Sequence, residues 1–216
     1  MEQEFKYQRH GDLQYQYILE TAEKVFLRCG IHDVTFAQIA RECRIMRGTL
    51  YRYFHTKEDL LWGIFTAKGE TYGRNILERV ESQETGYGRF AAYFEIVADI
   101  FQQDPNFFLF VDLMNEAYQK ISADPDSKQL KRILPNRRFG SRDTVRLLEE
   151  RFQDGTIRED LPPHATCVSL VYSANGVAGA FAKNAPFLPH KYGIEPVTAV
   201  HLALDAMLRG LLPEEK

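Results

Sequence analysis

Apolar residues recur at helical spacing almost from end to end of this chain. Ile18, Ala22, Val25, Phe26 and Cys29 share one face of a helix predicted to start near Leu13 and to stop at Gly30. Thr35-Phe-Ala-Gln38 matches a capping box and opens a second, shorter helix with Phe36, Ile39, Ala40 and Cys43 inward. After a break at residues 44–46, a third helix runs from Arg47 to about Phe54, with Leu50 and Phe54 as its apolar anchors. Thr56-Lys-Glu-Asp59 repeats the capping pattern and starts a longer helix with Leu60, Leu61, Ile64 and Phe65 inward. Nothing alternates with period two for long enough to form a strand.

Longer amphipathic stretches follow: Lys57 to about Val80, Tyr87–Gln102, Pro105–Ile121, roughly Pro135–Gln153, His164–Ala182 and Pro196–Leu211. Their breakers are Gly86/Gly88, Asp104-Pro105, Asp124-Pro125, Asp154-Gly155, Pro162-Pro163, and Ala185-Pro186 through Pro189 to Gly193. The pattern predicts an all-α protein, with a three-helix helix-turn-helix head over residues 1–60 and a larger helical body over 61–216. Ala165–Ala182 carries no charge over 18 residues. Its length and its serine, threonine and asparagine content favour a buried or subunit-facing helix over a membrane span.

Composition narrows the class. The 216 residues are 44% hydrophobic and 26% charged, ordinary for a globular chain with a core of its own. Three cysteines, never CxxC-spaced, argue against a disulfide framework or a zinc site and suit a reducing, cytoplasmic setting. MEQEFKYQRHGD has no apolar core, so no signal peptide is expected. No GxSxG elbow, P-loop or HExxH occurs, and the six histidines are scattered; an enzyme, a cofactor or a metal centre is not expected.

The net charge of −3 says nothing for nucleic acid, but its distribution does. From Thr35 to Lys57 stand Arg41, Arg44, Arg47, Arg52 and Lys57 against Glu42 alone. A helix-turn-helix offers the N-terminal residues of its second helix to base edges in the major groove. Arg47 stands there, able to bond guanine O6 and N7. Gly48 allows close approach, and Thr49 offers a hydroxyl or a methyl. Tyr51, Arg52 and Tyr53 suit phosphate or groove contacts, and Lys57 sits beside amides that attract phosphate.

Thr35-Phe-Ala-Gln-Ile-Ala-Arg-Glu42 followed by Arg47-Gly-Thr-Leu-Tyr-Arg-Tyr-Phe-His-Thr-Lys-Glu-Asp-Leu-Leu61 strongly resembles the DNA-binding domain of the tetracycline-repressor (TetR) family, densely from about Ile18 to Leu61. The resemblance implies a homodimeric helical repressor that binds a palindromic operator and releases it when a small molecule enters the body. It implies phosphate contacts for Thr35, Tyr53 and Lys57, base or groove contacts for Arg47, Gly48, Thr49 and Tyr51, and either for Arg52. Two departures stand out: Arg44 replaces the usual glycine of the turn, at some cost if a positive φ is needed there, and Met46 replaces a small polar residue. Arg44 is also a candidate phosphate contact. A helical scaffold that uses its head to bind protein is the alternative reading.

In the body, NFFLFVDLM (Asn106–Met114) is unusually aromatic and reads either as core or as the wall of a ligand pocket. The candidate ligand-binding residues are Phe94, Phe101, Phe108, Asp112, Met114, Tyr118, Arg138, Tyr172 and Asn175. Asp112 and Glu116 are a polar pair with no ExxH to complete a carboxylate-bridged metal site. From Lys128 to Arg146 the basic residues are Lys128, Lys131, Arg132, Arg137, Arg138, Arg142 and Arg146 against Asp143, either a solvated face or a receiver for a phosphate-bearing effector such as a fatty acyl-CoA. The last two helices are expected to form the homodimer interface.

Overall fold

The computed structural model describes the backbone of residues 2–122 and 141–213 and the side chains of 12–30, 33–116, 119 and 141–213. Among the described residues every regular element is helical: α1 (Glu2–Asp33), α2 (Phe36–Glu42), α3 (Arg47–Tyr53), α4 (Lys57–Lys68), a π-helical turn (Gly69–Gly73), α5 (Arg74–Glu81), α6 (Gly86–Gln103), α7 (Asn106–Ser122), α8 (Ser141–Glu149), α9 (Pro163–Asn184), α10 (Leu188–Tyr192) and α11 (Pro196–Arg209). They form two compact units, one of Met1–Ala67 with Leu113–Asn136, the other of Lys68–Asp112 with Arg137–Lys216.

In the first unit α1 buries Ile18, Ala22, Val25 and Phe26 at the predicted spacing and Leu19 beside them, while Cys29, also predicted inward, is half-buried. Helical geometry breaks at Gly30, where φ is +74°, a value glycine adopts without a Cβ penalty. The helix begins at Glu2 instead of Leu13. Residues 2–10 are rich in glutamate, glutamine, lysine and arginine, good helix formers without an apolar stripe, so periodicity had nothing there to register. Both capping boxes form. Thr35 Oγ1 accepts from the Gln38 amide at 3.2 Å while the Thr35 amide donates to Gln38 Oε1 at 2.7 Å. The Asp59 amide donates to Thr56 Oγ1 at 3.0 Å, and the Thr56 amide donates to Asp59 Oδ2 at 3.1 Å. α2 packs on α1 and α3 on α2, closing a core of Phe36, Ile39, Ala40, Cys43 and Leu50.

The expected unbroken helix from Lys57 to Val80 is interrupted by the π-helical turn. Glycines at both ends of Gly-Glu-Thr-Tyr-Gly lower the cost of leaving α geometry. The turn is held from outside. Asp104, the C-cap of α6, accepts from Lys68 Nζ at 2.7 Å and from the Tyr72 hydroxyl at 3.2 Å, and the Tyr72 ring meets Phe107 edge-on at 4.9 Å.

The second unit is built around α6, which packs against α5, α8, α9 and α11 and buries Phe90, Tyr93, Phe94, Ile96, Val97, Ile100 and Phe101. Its first turn is fully capped. Gly86, Tyr87 and Gly88 donate to Asp154 Oδ2, Thr156 Oγ1 and Thr85 Oγ1 at 2.7, 3.0 and 3.0 Å. Arg89, 5% exposed, donates to the carbonyls of Leu147 and Gln83 and pairs with Glu150 at 3.2 Å, tying α6 to α8. Of the predicted Pro135–Gln153 helix, Ser141–Glu149 is observed, and residues 135–140 lie outside the described set. The short helix α10 falls where proline spacing predicted only breaks; Pro189 sits in its first turn, where a missing amide costs nothing.

α9 buries Cys167, Val171, Ala174, Ala178 and Ala182, a regular helical stripe. Among the described residues it alone is long and apolar enough to cross a membrane by composition. Its stripe packs on α6, α8 and α11, and burial pushes the Cys167 thiol up to about 12, leaving it unreactive.

Candidate nucleic-acid interface

A seven-residue helix such as α3 is not stable alone. It is held by what it buries. Leu50 is fully buried and Phe54 nearly so, and the Phe54 ring stacks on Tyr15 at 5.3 Å. Tyr51 lays its ring on Phe36 of α2 at 4.9 Å with an interplanar angle of 18°. The Tyr53 hydroxyl donates to Gln14 Oε1 of α1 at 3.0 Å. Those contacts fix the rotation of α3 about its axis and so decide which residues remain outward.

The turn between α2 and α3 is a Schellman motif. Ile45 N–H bonds Ala40 O at 3.0 Å and Arg44 N–H bonds Arg41 O at 3.1 Å, with Arg44 at φ +53° in the position glycine favours. Among the described residues Arg44 alone of the non-glycines has a positive φ. The cost expected for an arginine there is therefore real. Arg44→Gly should stabilise the protein by about 0.5–1 kcal/mol, the left-handed penalty less the backbone entropy of glycine, which thermal unfolding would register as a higher midpoint.

Arg44, Arg47, Gly48, Tyr51 and Arg52 are all exposed, and Thr49 is half-buried beside them. No atom lies within 4 Å of where a Gly48 Cβ would stand, so a neighbouring molecule can reach the backbone. Arg44 and Arg47 engage no carboxylate among the described residues, whereas Glu42, the single acid of this stretch, is taken by Arg28 at 2.9 Å. The Arg52 guanidinium lies over the Tyr53 ring at 5.3 Å. Lys57 opens α4 and is half-buried. Two of the candidates are already committed. Thr35 spends its hydroxyl on the cap, donating to Gln38 Oε1 at 2.9 Å, and Tyr53 spends its proton on Gln14. A phosphate would have to exchange with those bonds. No local pattern marks Gln14 or Tyr15, which act across 39 residues.

The candidates in the body are less united. Phe94, Phe101 and Phe108 lie in the hydrophobic core of the second unit, Phe101 and Phe108 in ring contact at 6.1 Å. Asn175 is tied down, donating to Val171 O at 2.8 Å and to the hydroxyl of fully buried Tyr93 at 3.2 Å; burial raises the Tyr93 pKa and the Asn175 bond lowers it in part. Asp112 is exposed and sits beside Gly179 of α9. Met114 is buried and belongs to the first unit. Tyr172 is 65% exposed, on the face of α9 away from its buried stripe. The side chain of Tyr118 and the whole of Arg138 lie outside the described residues, as do Lys128–Arg137 of the basic cluster; Arg142 and Arg146 are exposed on α8. A groove of about 660 Å3 opens between α9 and α10, lined by Phe181, Phe187, Leu188 and Tyr192, and none of the candidates lines it.

Residues 18–62 match the model of the family described as bacterial regulatory proteins, tetR family. The HTH-type transcriptional regulator HbdR of Aromatoleum sp. (strain CIB) is 34% identical over 64 residues, 30% of this chain and 28% of that protein. The chain thus spans little more than a quarter of that curated relative's length. Among solved structures, AibR in complex with isovaleryl coenzyme A and operator DNA has a TM-score of 0.68 at 21% identity, covering 94% of this chain and 100% of that one. FadR from Bacillus subtilis in complex with stearoyl-CoA has a TM-score of 0.64 at 19% identity, covering 91% and 99%. At those identities the likeness is one of fold.

Proposed function

We propose that the chain is a member of the tetR family of bacterial regulatory proteins, whose model residues 18–62 match, and that it is a ligand-responsive transcriptional repressor. The observation that carries the proposal is the edge formed by Arg44, Arg47, Gly48, Tyr51 and Arg52, exposed and basic on a helix whose inner face is pinned by Leu50, Phe54 and Tyr53. Residues 1–60 act as the DNA-binding head and 61–216 as the effector and dimer body. Arg47, Gly48, Thr49 and Tyr51 meet the groove; Thr35, Arg44, Tyr53 and Lys57 meet phosphate, and Arg52 serves either role.

Two copies form the working unit, because successive major grooves of a palindrome lie one helical turn apart. The exposed apolar side chains along α9 to α11, Tyr172, Phe187, Tyr192 and Leu202 among them, support a second copy packing against these helices. The effector is a hydrophobic small molecule, and a fatty acyl-CoA suits both the aromatic body and the basic stretch Lys128–Arg146. The acyl-CoA complexes of FadR and AibR support that class. The protein works in the cytoplasm, without catalysis, metal or cofactor.

Fluorescence anisotropy with duplex DNA tests the reading. Affinity should fall by roughly 0.9 log units per log unit of salt for each phosphate neutralised, and long-chain acyl-CoA should release the duplex where the matching free acid is weaker. A flat salt dependence favours the protein-binding scaffold instead, and equal effects of acyl-CoA and free acid remove the role of the basic stretch.

A further inference from the structure

The three short connections of the head are not equally well made. Thr35 and Thr56 close reciprocal capping boxes on α2 and α4, but the N-cap of α3 is Met46, whose side chain has no oxygen to offer and makes no cap bond. A serine, threonine or aspartate at such a position ordinarily stabilises the helix start. Met46 is also 82% exposed, more than any other large hydrophobic side chain among the described residues. An apolar side chain left in water at a capping position, two residues after the strained φ of Arg44, breaks two local rules without any gain inside the folded chain.

The surroundings say what the gain is. Met46 immediately precedes Arg47 and lies between two exposed arginines, at the end of α3 that enters the groove in a helix-turn-helix. A thioether carries no hydrogen-bond donor and accepts only weakly, so it cannot grip phosphate or the polar edges of guanine, cytosine or adenine. The major groove has one apolar feature on its base edges, the C5-methyl of thymine. Methionine, unbranched with three rotatable bonds, adapts well to such a surface. We infer that Met46 is a specificity residue that packs against a thymine methyl beside the base pair approached by Arg47. This rests on the DNA-binding reading given above and adds a base preference to it.

The test starts from duplexes enriched out of a random pool by the wild-type protein, so that no operator need be known. Each thymine of the enriched half-site is replaced in turn by uracil, which removes only the methyl group. One position should lose about fourfold in affinity for wild type, the worth of one methyl taken out of water, and should lose nothing further for Met46→Ala. Met46→Ser should behave like Met46→Ala towards uracil while raising the thermal midpoint, since it supplies the missing cap. If the uracil penalty is the same in wild type and Met46→Ala, or if no thymine carries a penalty, the assignment of Met46 is overturned while the DNA-binding reading stands. If the pool yields no enriched sequence at all, that reading falls and Met46 with it.

Discussion

Gly86→Ala should destabilise the protein by roughly 2–5 kcal/mol, the sum of a forced overpacking and two lost hydrogen bonds. A Cβ at residue 86 would lie 2.3 Å from the carbonyl oxygen of Arg151 and 3.1 Å from Ile157 Cδ1. The first of these is backbone and cannot swing aside. Relief requires the start of α6 and the turn after α8 to part by about 1 Å, to an ordinary C···O separation. That movement stretches the bonds from Gly86 to Asp154 and from Tyr87 to Thr156. It also strains the bond from Arg89 to Leu147 O one turn further along. Thermal unfolding should show a fall of about 10 °C for a chain of this size. Asp154→Ala removes the cap without the clash and should cost only about 1 kcal/mol. If the two variants are equally destabilised, the glycine is dispensable and the cap alone matters.

What the sequence disclosed, and what it withheld, follows from the range of the forces involved. Caps and helical stripes are local, so Thr35-x-x-Gln38 and Thr56-x-x-Asp59 were readable and both close as expected. The cost of Arg44 was readable too, because a short turn between helices asks for a left-handed residue whatever surrounds it. The bond from Tyr53 to Gln14 was not, since it joins residues brought together only by the packing of α1 on α3. α9 shows a different limit. A helix apolar on nearly every side carries little signal for its orientation, and the stripe through Val171 and Ala174 turns Tyr172, a candidate for the ligand pocket, out to 65% exposure. The π-helical turn has only its two glycines as local cause, and the Asp104 that holds it arrives from another helix.

Arg47→Ala is expected to weaken binding to the enriched duplex by about 1–3 kcal/mol for each half-site, so a dimer should lose at least thirtyfold. The geometry makes Arg47 a cleaner probe than its neighbours. It is the first residue of α3, exposed, and free of any carboxylate among the described residues, so its removal leaves no charge stranded inside the protein. Its side chain contributes nothing to the anchoring of α3, which rests on Leu50, Phe54 and the ring pair Phe36–Tyr51. The stability read from thermal unfolding should therefore stay within about 0.5 kcal/mol of wild type. Tyr53→Phe is the contrasting control. It deletes the proton given to Gln14 and should cost about 1 kcal/mol of stability, with an affinity loss shared by all duplexes. The signature of a base contact is asymmetry: a large loss on the enriched sequence, a small one on random DNA, and relaxed preference at one base pair. Equal losses on both would make Arg47 a phosphate contact and move the reading of that base pair to another residue of the edge.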